Sequence, residues 1–122
     1  MWKTDQDGGP IYQQIIDRVK RQVATGQLAP GDRLPSAREL AAEAMVNPNT
    51  VMRSFQELER QGMTKSNRGL GTFLREDLDV VGLRRELLEA ASARFAAELQ
   101  ALSATAEEVD YAIGIILAAR RP

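Results

Sequence analysis

The sequence predicts a mainly α-helical fold with one small β-hairpin. Apolar residues recur at the three- and four-residue spacing of amphipathic helices along most of the 122 residues. This helical spacing is interrupted once, where residues 63–66 and 72–75 form two short strand-like segments on either side of a glycine-containing turn. At this length there is room for one domain, or for one small domain with an appendage.

The composition excludes several classes of protein. Apolar residues make up 43% and charged residues 27%, which is typical of a folded globular chain. With no cysteine and no histidine, the chain lacks the residues for disulfides, thiolate or imidazole catalysis and the usual zinc sites. The amino terminus has no apolar signal-peptide core, and no apolar run approaches the roughly 20 residues that span a bilayer. We therefore expect a cytoplasmic protein.

The first predicted helix runs from Ile11 to Val23. Its apolar residues fall at helical spacing, Pro10 suits a first helical position, and Gly26 suits the end of the helix. The following segment contains Pro30-Gly31, a turn pair, and is expected to end in a short strand at residues 32–34.

Two capped helices follow. Ser36 and Glu39 have the spacing of a capping box, which predicts a second helix that starts there and ends near Ala44. Asn47-Pro48 repeats the start signal, with an N-cap residue before a proline, and predicts a third helix to about residue 61. The short connection between them is typical of a helix-turn-helix.

The third helix has one apolar and one polar face. At about 100° per residue, Val51, Phe55 and Leu58 fall on the same side. The other side is polar and comprises Asn49, Arg53, Gln56 and Arg60, with Thr50 beside them. Such side chains reach base edges and phosphates in a DNA recognition helix, although an ordinary solvated face is the alternative interpretation.

The hairpin after this helix completes the order of parts in a winged helix-turn-helix. It carries Lys65 and Arg68, and its glycines allow the backbone to approach a sugar-phosphate edge. A plain loop tip is the alternative. The net charge of −1 and the isoelectric point near 5.5 argue against a nucleic-acid binder. A DNA-binding chain of this composition would have to cluster its basic residues on one face.

Three motifs in residues 10–75 add a family resemblance. They are PIYQQI in the first helix, GQLAPGDRLPSARELA through the turn and the second helix, and RGLGTF in the hairpin. Together they resemble the amino-terminal domain of the GntR family of bacterial transcription factors, over slightly more than half of the chain. The third helix reads NPNTVMRSF where the commonest family pattern resembles SRTTVREAL, so Pro48 replaces an arginine. The NPNTV version resembles the YtrA subfamily, whose carboxy-terminal region is very short.

Residues 78–122 predict two further helices joined by a short connector. Thr105-Ala106-Glu107-Glu108 is a second capping box, and the apolar positions on both sides of it recur at helical spacing. A small winged domain over residues 1–77 could only partly cover such stripes, so we expect a second copy to bury them. The alternative is that the two helices fold back on their own domain. The expected dimer interface is Leu83, Leu87, Ala91, Phe95, Leu99, Leu102, Val109, Ile113 and Ile116.

The resemblance implies which residues contact DNA. Those implied by the family motifs are Ser36, Arg38, Thr50, Arg53, Arg68, Gly69 and Gly71. Position alone adds Asn47, Asn49, Lys65 and Thr72, and Asn47 also serves as a helix cap. A two-fold dimer would present two third helices to an inverted-repeat operator on double-stranded DNA.

The subfamily resemblance implies a repressor of its own or a neighbouring transporter operon. A small-molecule effector is conceivable, although 45 residues of two helices provide no obvious ligand pocket. Some GntR relatives carry an aminotransferase-like domain with a pyridoxal cofactor, but this chain has no residues for one, and we expect neither catalysis nor a cofactor. The rival function is a dimeric winged-helix module that binds protein instead of an operator.

Overall fold

The structure is a computed structural model that describes residues 9–120. The amino-terminal segment, in which no signal-peptide core is expected, lies outside the described residues. The elements are α1 Ile11–Ala24, α2 Ala37–Ala44, α3 Pro48–Arg60, β1 Thr64–Asn67, β2 Gly71–Leu74, α4 Val80–Ala101 and α5 Ala106–Ala119. This order confirms the predicted fold class of helices with one antiparallel hairpin.

The described chain forms two compact units that divide between Leu83 and Arg84. In the first unit, α1 and α2 both pack on α3, and β1 lies against α3. The core contains the predicted apolar positions of the helices together with residues from the turn and the hairpin. Its fully buried side chains include Ile15, Ile16, Val19, Leu34, Leu40, Val51, Leu58 and Leu74.

The helix starts follow the predicted caps. The Ser36 hydroxyl accepts a hydrogen bond from the Glu39 amide at 3.0 Å, and Glu39 Oε1 accepts from the Ser36 amide at 3.2 Å. Asn47 Oδ1 accepts from the Asn49 amide at 2.8 Å, which begins α3. Between these helices the chain turns at Met45, whose φ of 58° lies in the left-handed region.

The hairpin pairs β1 with β2 in the register Thr64↔Leu74, Lys65↔Phe73, Ser66↔Thr72 and Asn67↔Gly71. The short strand expected at residues 32–34 is reduced to a single bridge between Arg33 and Phe73. Backbone hydrogen bonds flank the bridge, from the Leu34 amide to the Thr72 carbonyl and from the Leu74 amide to the Asp32 carbonyl, both at 2.8 Å. Pro35 follows and has no amide hydrogen to continue the ladder.

The second unit contains most of α4 and all of α5. The Thr105 hydroxyl accepts from the Glu108 amide at 3.2 Å, and Glu108 Oε1 accepts from the Thr105 amide at 2.9 Å, so the second capping box is also formed. Unlike α1 and α3, helices α4 and α5 do not pack closely along their lengths. Between residues 9 and 120, no helix is both long and apolar enough to cross a membrane.

Candidate nucleic-acid interface

The amino terminus of α2 presents a fixed serine and a basic side chain. The capping box fixes the position of Ser36. The hydrogen bonds between Glu39 and Ser36 lower the pKa of the Glu39 carboxyl. Although the Ser36 oxygen accepts one bond within the box, its hydroxyl group can still donate one. Arg38 is exposed and forms no hydrogen bond or ion pair with the rest of the described chain. Both side chains therefore keep donor groups for a further hydrogen-bond acceptor.

The first turn of α3 is exposed and rich in amide groups. Asn47 uses its Oδ1 for the cap, which leaves its amide NH₂ as a donor. Asn49 is exposed, and Thr50 is half-buried. These residues stand where a recognition helix makes its base contacts.

Arg53 lies against α1. Its guanidinium carbon is 3.8 Å from the centre of the Tyr12 ring, which is a cation–π contact. The buried Ser54 hydroxyl, next in sequence, donates to the Tyr12 carbonyl at 2.9 Å. Since both contacts join α3 to the same residue of α1, Tyr12 restrains the direction in which Arg53 points. The sequence places Tyr12 in the first helix but predicts no partner for it, because nothing local to it indicates a contact 41 positions away.

The carboxy-terminal half of the polar face is less basic than the sequence suggests. Arg60 donates to Glu57 through two nitrogens, and Gln61 donates to the same carboxylate at 3.0 Å. These hydrogen bonds lower the pKa of Glu57 to about 2, and the bond with Arg60 contributes most. The ion pair offsets the charge of Arg60, so the basic character of this face depends mainly on Arg53.

The hairpin of residues 64–74, here called the wing, is attached to α3 on one side and to the segment between α1 and α2 on the other. The Ser66 amide donates to Glu59 Oε1 of α3 at 3.0 Å. On the other side, Arg33 Nε donates to the Leu70 carbonyl at 3.2 Å. The turn itself requires positive φ at Gly69 (79°) and Gly71 (114°). These bonds hold the turn in place, with Lys65 and Arg68 exposed on the hairpin.

A cleft of about 190 Å³ brings part of the predicted set together. It lies between the start of α2, the polar face of α3 and the hairpin, and its lining includes Ser36, Gly71 and Thr72 from that set. A separate groove of about 310 Å³ between α1 and α3 holds Arg53, with Tyr12 and Gln56 among its other lining residues. Neither lining includes the remaining predicted contacts, which are Arg38, Asn47, Asn49, Thr50, Lys65, Arg68 and Gly69.

Sequence reasoning missed Met52, which lines the 190 Å³ cleft and is 45% exposed. The signal was present in the helical spacing, because Met52 precedes Gln56 by four residues and shares its face. The family pattern quoted above also places an arginine at this position. A methionine in a helix is more readily interpreted as a core residue than as part of an interface.

The expected dimer positions fall into three groups. Leu83, which belongs to the first unit, is buried at 7% exposure and has little surface left for a second copy. The half-buried positions are Leu87, Phe95, Leu99 and Val109. The exposed positions are Ala91, Leu102, Ile113 and Ile116. In α4 and α5 the structure also exposes large apolar side chains that the prediction omitted, namely Val81, Leu88, Tyr111, Ile115 and Leu117.

Comparison with known proteins identifies a family and similar individual proteins. Residues 11–74 match the family described as bacterial regulatory proteins, gntR family. The transcriptional regulator YhcF of Bacillus subtilis is 40% identical over 109 residues, which is 85% of this chain and 87% of that protein. The transcriptional repressor YtrA of the same organism is 48% identical over 68 residues, or 56% of this chain and 52% of the repressor.

Solved structures show the same architecture. A GntR-family regulator from Listeria monocytogenes has a TM-score of 0.80 at 32% identity, covering 90% of this chain and 97% of the other. The DNA-binding domain of AraR in complex with its operator ORX1 has a TM-score of 0.56 at 25% identity, covering 59% and 93%. The relatives are transcriptional regulators, not enzymes. The chain therefore belongs to the GntR family of bacterial regulatory proteins, in its YtrA subfamily, and is a transcriptional regulator with a DNA-binding domain.

Proposed function

We propose that the protein is a homodimeric repressor that binds an inverted-repeat operator near its own gene or a neighbouring transporter operon. In this proposal residues 1–77 bind DNA and residues 78–122 join the two copies. The repressor role is supported by the YtrA relative, whose name describes it as a transcriptional repressor. A winged domain bound over a promoter would exclude the polymerase from the same DNA.

The observation that carries the homodimer is the exposure of α5. Its residues 112–119 include four large aliphatic side chains, and none of the residues of α5 is buried in the single chain. Tyr111, Ile115 and Leu117 are each more than half exposed. A helix with apolar residues all round is normally buried, and covering each aliphatic side chain contributes about 1.5 to 3 kcal/mol. A second copy presents the same surface and can bury it by two-fold symmetry.

The operator follows from that symmetry. Two copies place two α3 helices on one side of the duplex, and half-sites about one helical turn apart, roughly 10 base pairs, match such a pair. The side chains proposed to contact DNA are those of the predicted set: Ser36, Arg38, Asn47, Asn49, Thr50, Arg53, Lys65, Arg68, Gly69, Gly71 and Thr72.

The test is selection of bound duplexes from a random-sequence pool, followed by a mobility shift with DNA upstream of the protein's own gene. We expect an enriched inverted repeat, two chains per duplex, and a complex with the upstream DNA that survives random competitor. Transcription from that promoter in vitro should fall when the protein is added. Enrichment of a single unrepeated element bound by one chain would contradict the dimer, and no enrichment at all would favour a protein-binding role.

A further inference from the structure

Met52 is unusual among the exposed side chains of the first unit. Between residues 9 and 83, the large apolar side chains that are exposed are Met45, Met52, Leu70 and, in α4, Val81. Met45 lies in the connection before α3 and Leu70 in the hairpin turn. Met52 alone lies on α3, among the polar side chains that are proposed to contact bases.

The surroundings of Met52 combine one apolar group with several hydrogen-bonding groups. Ser36 and Thr72 supply hydroxyls to the same cleft, and Gln56 lies one helical turn further along α3. A charged phosphate provides no apolar surface for the Met52 side chain to contact. A base edge provides hydrogen-bonding atoms and, for one of the four bases, a methyl group. In the major groove only thymine presents a methyl, and apolar side chains contact it there. The unbranched, polarisable methionine side chain adapts well to such a contact.

We propose that Met52 contacts the 5-methyl group of one thymine in each half-site and so selects that base. The inference rests on the proposed operator binding and adds a specificity determinant to it. It differs from the contacts of Arg38 and Lys65, which are charged and would act on any sequence.

The test replaces thymine by deoxyuridine, which lacks only the methyl group. The selected duplex is prepared with each thymine substituted in turn, and the affinity of the full-length protein is measured for every duplex. Losing one buried methyl should weaken binding about fourfold in one half-site and about fifteenfold when both half-sites are changed. Met52→Ala should bind the thymine and deoxyuridine duplexes equally at that position, while Met52→Leu should still distinguish them.

Met45→Ala is the matched control, because it removes a second exposed methionine of the first unit and should keep the wild-type preference for thymine. Circular dichroism confirms that each variant is folded. Equal wild-type affinity for every substituted duplex, or an unchanged thymine preference in Met52→Ala, would overturn the proposal while operator binding stands. A selection that enriches no sequence would overturn both.

Discussion

At the scale of single residues, the arginines of the candidate interface differ in their contacts within the chain. Arg53 is restrained by the Tyr12 ring, and Arg60 is paired with Glu57. Arg38 has no such contact in the described chain. A restrained guanidinium loses less conformational freedom on binding, whereas Arg38 must be ordered by the DNA itself.

The contact between Tyr12 and Arg53 should be measurable as a coupling. Tyr12→Leu and Arg53→Ala, combined in a double-mutant cycle, should show an interaction of about 0.5 to 1 kcal/mol in the free energy of unfolding, as expected for an exposed cation–π pair. Urea unfolding by circular dichroism gives the four values. Strict additivity would show that the stacking contributes nothing to stability.

Arg38 is expected to bind a phosphate. Arg38→Ala should make the dependence of log affinity on log salt shallower by about 0.9 per chain, hence by nearly two in a dimer, equally on selected and random duplexes. Arg94→Ala, which removes an exposed arginine from α4, should leave the slope unchanged. If Arg38→Ala weakened binding with the wild-type slope, Arg38 would act without contacting a phosphate.

The lowered pKa of Glu57 predicts an acid-sensitive contribution to stability. Since its pKa falls from 4.5 to about 2 in the folded chain, the contribution is complete above about pH 4.5 and is lost as the pH falls toward 2. Urea midpoints measured between pH 5 and pH 2.5 should therefore fall less in Glu57→Gln than in the wild type. Glu43→Gln, at an exposed carboxylate of α2, should behave like the wild type. Parallel curves for all three proteins would contradict the pairing.

At the scale of elements, the wing depends on its attachment to α3 and to the segment between α1 and α2. Gly69 and Gly71 both have positive φ, but only at Gly71 would an added Cβ meet a neighbour, 2.8 Å from Arg33 Nε. The difference between the two glycines therefore isolates the contact with Arg33 from the strain of the turn.

Gly71→Ala should destabilise the protein more than Gly69→Ala. Both variants incur the left-handed backbone strain, of order 1 kcal/mol, and Gly71→Ala must also displace the Arg33 side chain. Thermal unfolding of both variants, alone and combined with Arg33→Ala, gives the comparison. The excess cost at Gly71 should disappear in the Arg33→Ala background; an excess that persists there would assign it to the backbone.

At the scale of the whole molecule, DNA affinity should depend on α5, because α5 is proposed to join the two copies. Ile113→Asp combined with Ile116→Asp places charges on the exposed apolar surface proposed to join two copies. We expect light scattering to give the monomer mass and operator affinity to fall on the order of a hundredfold, since each half-site then binds alone. Gln100→Asp adds one such charge at an exposed polar position of α4 and should leave both properties unchanged. A dimeric double variant would place the interface elsewhere.

The sequence alone determined the elements and the family. Capping boxes at Ser36 and Thr105, the cap at Asn47 and the glycines of the hairpin are signals within a few consecutive residues, so the starts of α2, α3 and α5 and the turn could be predicted. Local hydrogen bonds and backbone preferences produce these features before any distant contact forms. The motifs on these elements then identified the family.

Only the tertiary structure decided how the side chains of the interface are directed. Tyr12 and Ser54 are 42 residues apart, Arg33 and Leu70 are 37 apart, and no local pattern records either contact. Burial likewise depends on tertiary packing, and for this reason Leu83 is buried while Met52 is exposed. Helical spacing establishes which residues share a face, but what that face meets is decided by the elements that pack around it.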